Sequence, residues 1–346
     1  MLSTTLQIES SFLYAGVHMS KFSLALSRRK LLMFIATTIG YSEINAQTTN
    51  PIRLILGVPA GSSTDVIARI LTEAMSHHLG QPVIVDNKPG GSGSIATQAF
   101  LSAPNDGNTW LMAVNGFFSE APYTIKLNFD PLKVAIPLVE IGGGGLVLVG
   151  NPSIPAKNYR ELINWIRANR GSTTFASYSP GSLSHVMGLL LNKAEGLDML
   201  HVPYKGSPPA LQDLMGGQVN MMFDAPPSSL PLIKSGKLKA FAVTSPKRNE
   251  SMPDVPTLTE LGLENLTRTS WLGIWTTSNI SATSQQRMRN AVLSALEQTA
   301  VRQRMLELGT EPPTGTPKTQ EQLIRRLAAD HAAIGETLRS INYRPE

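Results

Sequence analysis

The sequence predicts an α/β protein built on mainly parallel sheets. Three observations carry that expectation. Apolar, strand-like runs alternate with helix-like segments from Pro51 onward, and small-residue turns join several of these runs to the helix that follows. The chain has 346 residues, of which 42% are hydrophobic and 16% charged, an ordinary globular composition with length enough for two domains.

Before that alternation begins, Ser27-Arg28-Arg29-Lys30 precedes the apolar run LLMFIATTIG, which is too short to anchor permanently in a bilayer. Ile44-Asn45-Ala46 then places a small residue before a cleavage point, so residues 1–46 are expected to be an export signal. The paired arginines admit a twin-arginine route as well as the general one, and Met19 is an alternative start to Met1. The protein is therefore expected in the periplasm. With no cysteine it can hold no disulfide or thiolate site. Without residues 1–46 it keeps 26 basic and 23 acidic residues, a scattered +3 that does not suggest a nucleic-acid partner.

The alternation opens with IRLILGV, followed by a helix over about 63–79. VIVDN leads through the turn PGGSGS to a helix ending near Ala103, and NTWLMAV leads into a loop of mixed character. GLVLVG resumes the pattern, followed by a helix around YRELINWIRANR, then TTFAS and a helix from about Ser182. MLHVPY, ALQDLMGG, VNMMFDA, LPLIKSG and LKAFAVT continue it, and two long helical patterns, about 282–308 and 319–341, close the chain.

Ligands of open α/β sheets lie outside the carboxyl ends of the strands. Four turns at such ends have similar polar, small-residue chemistry: Ala60-Gly61-Ser62-Ser63-Thr64-Asp65, Asn115-Gly116, Ser177-Tyr178-Ser179-Pro180-Gly181-Ser182, and Asp224-Ala225-Pro226. The first N–H groups of a helix lack intrahelical partners and carry the positive dipole end, so the turn after Val58 suits a phosphate or a carboxylate. Gly61 admits close backbone approach, and Ser62, Ser63 and Thr64 add hydroxyls, with helix capping as the alternative role for Ser63 or Thr64. Asp65 stabilises a first helical turn and stands four residues before Arg69. Asp224 either faces the cleft or caps a helix before Pro226 and Pro227. Tyr204-Lys205 brings a phenol and an ammonium to the cleft or leaves Lys205 as solvated surface. His185, within the helix that the second loop starts, is expected to be structural.

Seven motifs fall in order along the chain: Pro59-Ala60-Gly61-Ser62-Ser63-Thr64-Asp65, Asn87-Lys88-Pro89-Gly90, Pro104-Asn105-Asp106-Gly107, Asp130-Pro131-Leu132-Lys133, His201-Val202-Pro203-Tyr204-Lys205-Gly206, Gly216-Gly217-Gln218-Val219 and Asp254-Val255-Pro256-Thr257. In this the chain resembles the substrate-binding proteins of tripartite tricarboxylate transporters, the Bug-type solute receptors, over essentially all of its length after the signal. The resemblance implies a two-lobed α/β fold of the periplasmic-binding-protein type (type II), with the ligand in the inter-lobe cleft. It implies no cofactor. It also implies a small carboxylated solute, captured by lobe closure and handed to an integral membrane permease. Residues 50–145 with 270–346 are the expected first lobe and 146–269 the second, with crossings near Gly142–Gly145 and Thr267–Ser270. The expected ligand-binding residues are Ala60 to Asp65, Asn115, Gly116, Ser177, Tyr178, Ser179, Gly181, Ser182, Tyr204 and Asp224, in a chain acting as a monomer. Asp65 would hold the first loop and accept from solute or water. Where the family usually has a second glycine this chain has Ser62; Tyr178 and Pro180 depart from its small second loop, and Asn115 replaces a serine or threonine.

Enzymatic readings fit less well. No Gly-Lys-Ser/Thr ending or dinucleotide fingerprint is present, and Gly90-Gly91-Ser92-Gly93-Ser94 reads as a tight turn rather than a nucleophile elbow. The histidines left after processing are single or the adjacent pair His77-His78, which does not predict a metal site. A secreted hydrolase using Ser182 or Ser62 with His185 or His201 is the alternative from another class, although no acid is spaced to orient the base. A sensing subunit binding the same solutes is the third reading.

Overall fold

The structure is a computed structural model that describes residues 50–344. The expected export signal, residues 1–46, lies outside the described residues.

The first half-sheet unit opens with β1 (Ile52–Leu56), α1 (Ser63–Leu79), β2 (Val83–Asn87), α2 (Ser94–Leu101) and β3 (Thr109–Val114). Short helices α3 (Gly116–Ser119), α4 (Ala121–Thr124) and α5 (Pro131–Val134) follow, then β4 (Ile136–Gly144). The chain crosses to β5 (Val147–Gly150), α6 (Tyr159–Ala168), β6 (Thr174–Ser177), α7 (Leu183–Glu195), β7 (Leu200–Pro203), α8 (Ser207–Met215), β8 (Met221–Asp224), α9 (Pro226–Lys234) and β9 (Lys239–Val243). It returns through β10 (Ser270–Thr276) and ends with α10 (Ala282–Glu297), α11 (Thr299–Glu307) and α12 (Gln320–Ser340).

Two five-stranded sheets result, with orders β2-β1-β3-β10-β4 and β7-β6-β8-β5-β9. The two orders correspond strand for strand. In each, a β-α-β-α-β unit winds outward from its first strand, parallel to both neighbours, and places a reversal of strand order beside β1 or β6. A strand delivered from across the molecule, β10 or β5, then adds antiparallel to both of its neighbours. The sheets are therefore mixed, which corrects the expectation of mainly parallel pairing. The long pattern over 282–308 is also two helices, meeting at Gln298, whose extended backbone (φ −70°, ψ 122°) interrupts the helical run.

The inner strands β1, β3, β10, β6, β8 and β5 are largely buried because helices cover both faces of each sheet. Ile52, Leu54 and Leu56 face α1 and α10 through Ile67, Leu71, Met288 and Val292, while Ile55 joins Phe118, Trp271 and Trp275 on the other face. In the second sheet Phe175 and Phe223 pack with α6 and α7, and Val147 and Met222 with α8. The last helix serves both cores: Leu327 packs in the first and Ile334 and Leu338 in the second.

The crossings run side by side. Leu146 N–H donates to Thr244 Oγ1 at 2.8 Å, and Thr244 Oγ1 donates to Arg268 O at 2.7 Å, so one hydroxyl ties the outgoing chain to the returning one. The glycine run there is partly strand: Gly143 pairs with Trp271, and a Cβ on it would lie 2.4 Å from Ser270 O. Among the described residues no helix is long and apolar enough to cross a membrane.

Candidate functional site

The loops after β1 and β6 sit at the two strand-order reversals, where an open sheet leaves a crevice. Their backbones match. Gly61 and Gly181 have φ +79° and +70°, a left-handed conformation that a Cβ disfavours. Ser62 and Ser182 follow as N-cap residues with extended backbones and no side-chain cap. Each glycine donates its N–H to the side chain four residues on: Gly61 to Asp65 Oδ2 and Gly181 to His185 Nδ1, both at 2.9 Å.

Asp65 is buried and also accepts from Arg69 and from Asn87 Nδ2. Burial alone would raise its carboxyl, but the bonds from Arg69, Gly61 and Asn87 hold it below the usual carboxylate range. His185 lies parallel to His201, ring centroids 3.6 Å apart. Burial, with His201 adding to it, lowers His185 to about 3, and burial lowers His201 to about 4. Both are neutral bases at neutral pH.

Between the loops lies a cavity of about 350 Å³. Ser62, Ser63, Thr64, Gly116, Tyr178, Ser179, Gly181, Ser182 and Tyr204 line it. Ser62 Oγ is buried and has no hydrogen-bond partner in the protein, and it sits at the first turn of α1, whose leading N–H groups have no intrahelical partners. The other expected residues are not part of the lining. Ala60 is exposed. Gly61 and Asp65 brace the first loop. Ser177 is fully buried and pairs with His201 Nε2 at 2.7 Å. Asn115 donates to Asp330 at 3.0 Å and accepts from Trp271 N–H, joining β3 to β10 and α12. Asp224 accepts from Ser207 and Ser228, and burial pushes it up to about 6 against those bonds. Tyr204 lines the cavity, and its hydroxyl donates to Asp213 at 2.7 Å.

Four contributors were not among the expected residues. Ser92, at φ +47° in the turn after β2, bonds Ser179 Oγ at 2.6 Å across the cavity. Ser228 bonds Ser63 Oγ at 2.7 Å, again between the two sheets' elements. Phe117 forms a wall over Gly57 and Gly93, where a Cβ would lie 2.3 Å and 2.1 Å from its ring. Glu120 is buried in the lining, where burial pushes its carboxyl up to about 8; the N–H of Leu183 opposes that rise and the charge of Asp330 adds to it. The signal available for Glu120 was a lone acid inside the apolar stretch Phe117-Phe118-Ser119-Glu120-Ala121-Pro122.

The arrangement offers an anion the leading N–H groups of α1. Ser182 and His185 do not pair as nucleophile and base. Ser182 Oγ donates to Ser179 O at 2.6 Å, and His185 Nδ1 is already engaged by Gly181. Among the described residues no group of three acidic or histidine side chains could hold a metal ion.

Residues 67–339 match the model of the tripartite tricarboxylate transporter family receptor. Protein BugT of Bordetella pertussis is 33% identical over 293 residues, 82% of this chain and 89% of that protein. The structure of the periplasmic binding protein BugD superposes with a TM-score of 0.81 at 30% identity, covering 86% of this chain and 99% of that one. That of R. palustris Rpa4515 with adipate gives 0.82 at 26% identity, with the same coverage.

Proposed function

The chain belongs to the tripartite tricarboxylate transporter receptor family, and from that premise we propose that it is an exported periplasmic receptor for a small carboxylated solute. The solute binds between two lobes, residues 50–145 with 270–346 and residues 146–269, with α12 bridging their cores. Closure of the lobes gives a shape that an integral membrane permease recognises. The protein acts as a monomer without cofactor and catalyses no reaction on its ligand.

One observation carries this reading: the free first turn of α1, with the unpartnered Ser62 Oγ, opens on a cavity between the two sheets. A carboxylate leaving water needs several aimed donors, and the Ser63 and Thr64 N–H groups with Ser62 Oγ supply them. The adipate held by the Rpa4515 relative is a solute of that chemistry. Ala60, Gly61, Asp65, Asn115, Ser177 and Asp224 act by holding the lining in place, whereas Ser62, Ser63, Thr64, Gly116, Tyr178, Ser179, Gly181, Ser182 and Tyr204 meet the solute.

A thermal-shift screen of carboxylates and their neutral esters tests it. Carboxylates should raise the melting temperature and the esters should not, since a ligand at 100 times its Kd adds about 2.7 kcal/mol. Ester hydrolysis that Ser182→Ala or Ser62→Ala abolishes would replace the receptor with a hydrolase.

A further inference from the structure

The two helices that point their N-termini at the cavity are not equivalent. At α1 the cap hydroxyl of Ser62 has no partner and the residue is 4% exposed. At α7 the lining brings Glu120 and Tyr178 together with Leu183 of the helix's first turn, and the N–H groups of Leu183 and Ser184 act on the Glu120 carboxyl and the Tyr178 hydroxyl. Glu120 lies between α3 and α4, on the first-sheet side, so its carboxyl meets a helix of the other sheet. It is held low over Gly116, where a Cβ would come within 2.6 Å of Oε2, and is 9% exposed.

Among the described residues no basic side chain pairs with Glu120. The ionisable groups acting on it are Asp330 of α12 and Tyr178, with Asp224 acting on Tyr178 from beyond, and His331 of α12 bonds the neighbouring Ser119 O and the Tyr123 hydroxyl. Lys205, the one lysine or arginine of the lining, is exposed. Between the α1 and α7 ends the walls are apolar, with Val114, Phe117, Ile125 and Leu146. A solute carrying carboxylates at both ends would set its second one beside the Glu120 acid. A solute with an N–H donor at that end would give Glu120 the partner it lacks.

Building on the receptor reading, we propose that Glu120 is a specificity-determining residue: it fits the cavity to monocarboxylates bearing an ammonium or amide group at the far end and turns away dicarboxylates. Burial keeps the empty-site carboxyl protonated at neutral pH. An ammonium ligand would favour the carboxylate, so the Glu120 proton passes to the buffer as the solute binds.

Calorimetric titration of the purified protein with 6-aminohexanoate and with adipate, and with their shorter and longer homologues, tests this. The amino acid of the best-fitting length should bind about tenfold or more tighter than its dicarboxylate, with proton release seen as a dependence of the binding heat on buffer. Glu120→Gln should erase both the preference and the proton release, and Glu120→Asp should keep the preference. A parent protein that prefers dicarboxylates, or a Glu120→Gln variant that weakens both series equally, overturns the inference and leaves the receptor reading standing. If neither series binds to either form, the receptor reading falls and the inference with it.

Discussion

The N–H of Gly181 donates to His185 Nδ1 at 2.9 Å, so the second loop depends on a ring nitrogen that must stay unprotonated. In the matching loop Asp65 receives the corresponding bond from Gly61 and stays charged. The same backbone is therefore held by an anion on one side of the cavity and by a neutral base on the other.

That difference predicts an acid-labile second loop. His185 and His201 titrate at about 3 and about 4 in the folded protein, below the ordinary value of 6.5. A lowered histidine favours the folded state fully above about pH 6.5, and that contribution is lost as the pH falls toward the folded value. Melting temperature should therefore drop from pH 7 to pH 4.5, and the drop should shrink in His185→Gln. An unchanged acid slope in that variant would show that the histidine does not hold the loop by this bond.

Glu120 should act on stability at the other end of the scale. Its carboxyl is raised from 4.5 to about 8, so its contribution is full below pH 4.5 and fades as the pH rises through 8. Glu120→Gln keeps the shape without the charge and should melt above the parent protein at pH 8.5. Equal melting there would mean that the buried acid carries no such penalty.

The two glycines should separate strain from closure. An alanine at either position costs about 1–2 kcal/mol for its left-handed backbone. At Gly61 a Cβ meets only Pro208 Cγ at 3.8 Å, an ordinary contact, whereas at Gly181 it would lie 1.9 Å from Thr124 Cβ on the first-sheet side. Gly181→Ala should lose more stability than Gly61→Ala by denaturant titration, and it alone should lose most of its affinity for a carboxylate. Equal losses of affinity would contradict the assignment of Gly181 to the closing surface.

Asp65→Asn should lower the melting temperature and leave affinity nearly intact, because the side chain braces Gly61, Asn87 and Arg69 behind the lining. Ser63→Ala should weaken binding by about 0.5–1.5 kcal/mol, since its hydroxyl bonds Ser228 and Ala225 across the cavity. Calorimetric titration of both variants decides: a large affinity loss in Asp65→Asn would place the aspartate against the solute.

The strand–glycine–helix turns at Gly61 and Gly181 were legible because local chemistry makes them: apolar runs before, hydroxyl and glycine within, amphipathic helix after. What each side chain faces was less so. Asn115 and Asp224 have the right chemistry and position in the chain, yet Trp271 with Asp330, and Ser207 with Ser228, claim their polar atoms. Ser92 reads as part of a tight turn because its partner, Ser179, lies 87 residues away. Strands β4 and β10 escaped notice for a related reason. The glycines of β4 look like a loop until the backbone of β10 presses against them, and β10 pairs antiparallel to strands more than a hundred residues earlier.

The central claim is that the first turn of α1 holds a carboxylate. A crystal structure of the protein with the best-binding carboxylate from the screen tests it most directly. The account predicts carboxylate oxygens at about 2.7–3.2 Å from the N–H groups of Ser63 and Thr64 and from Ser62 Oγ, with the opposite end of the solute toward Glu120. A carboxylate seated instead on Leu183 and Ser184, with Glu120 displaced, would contradict it.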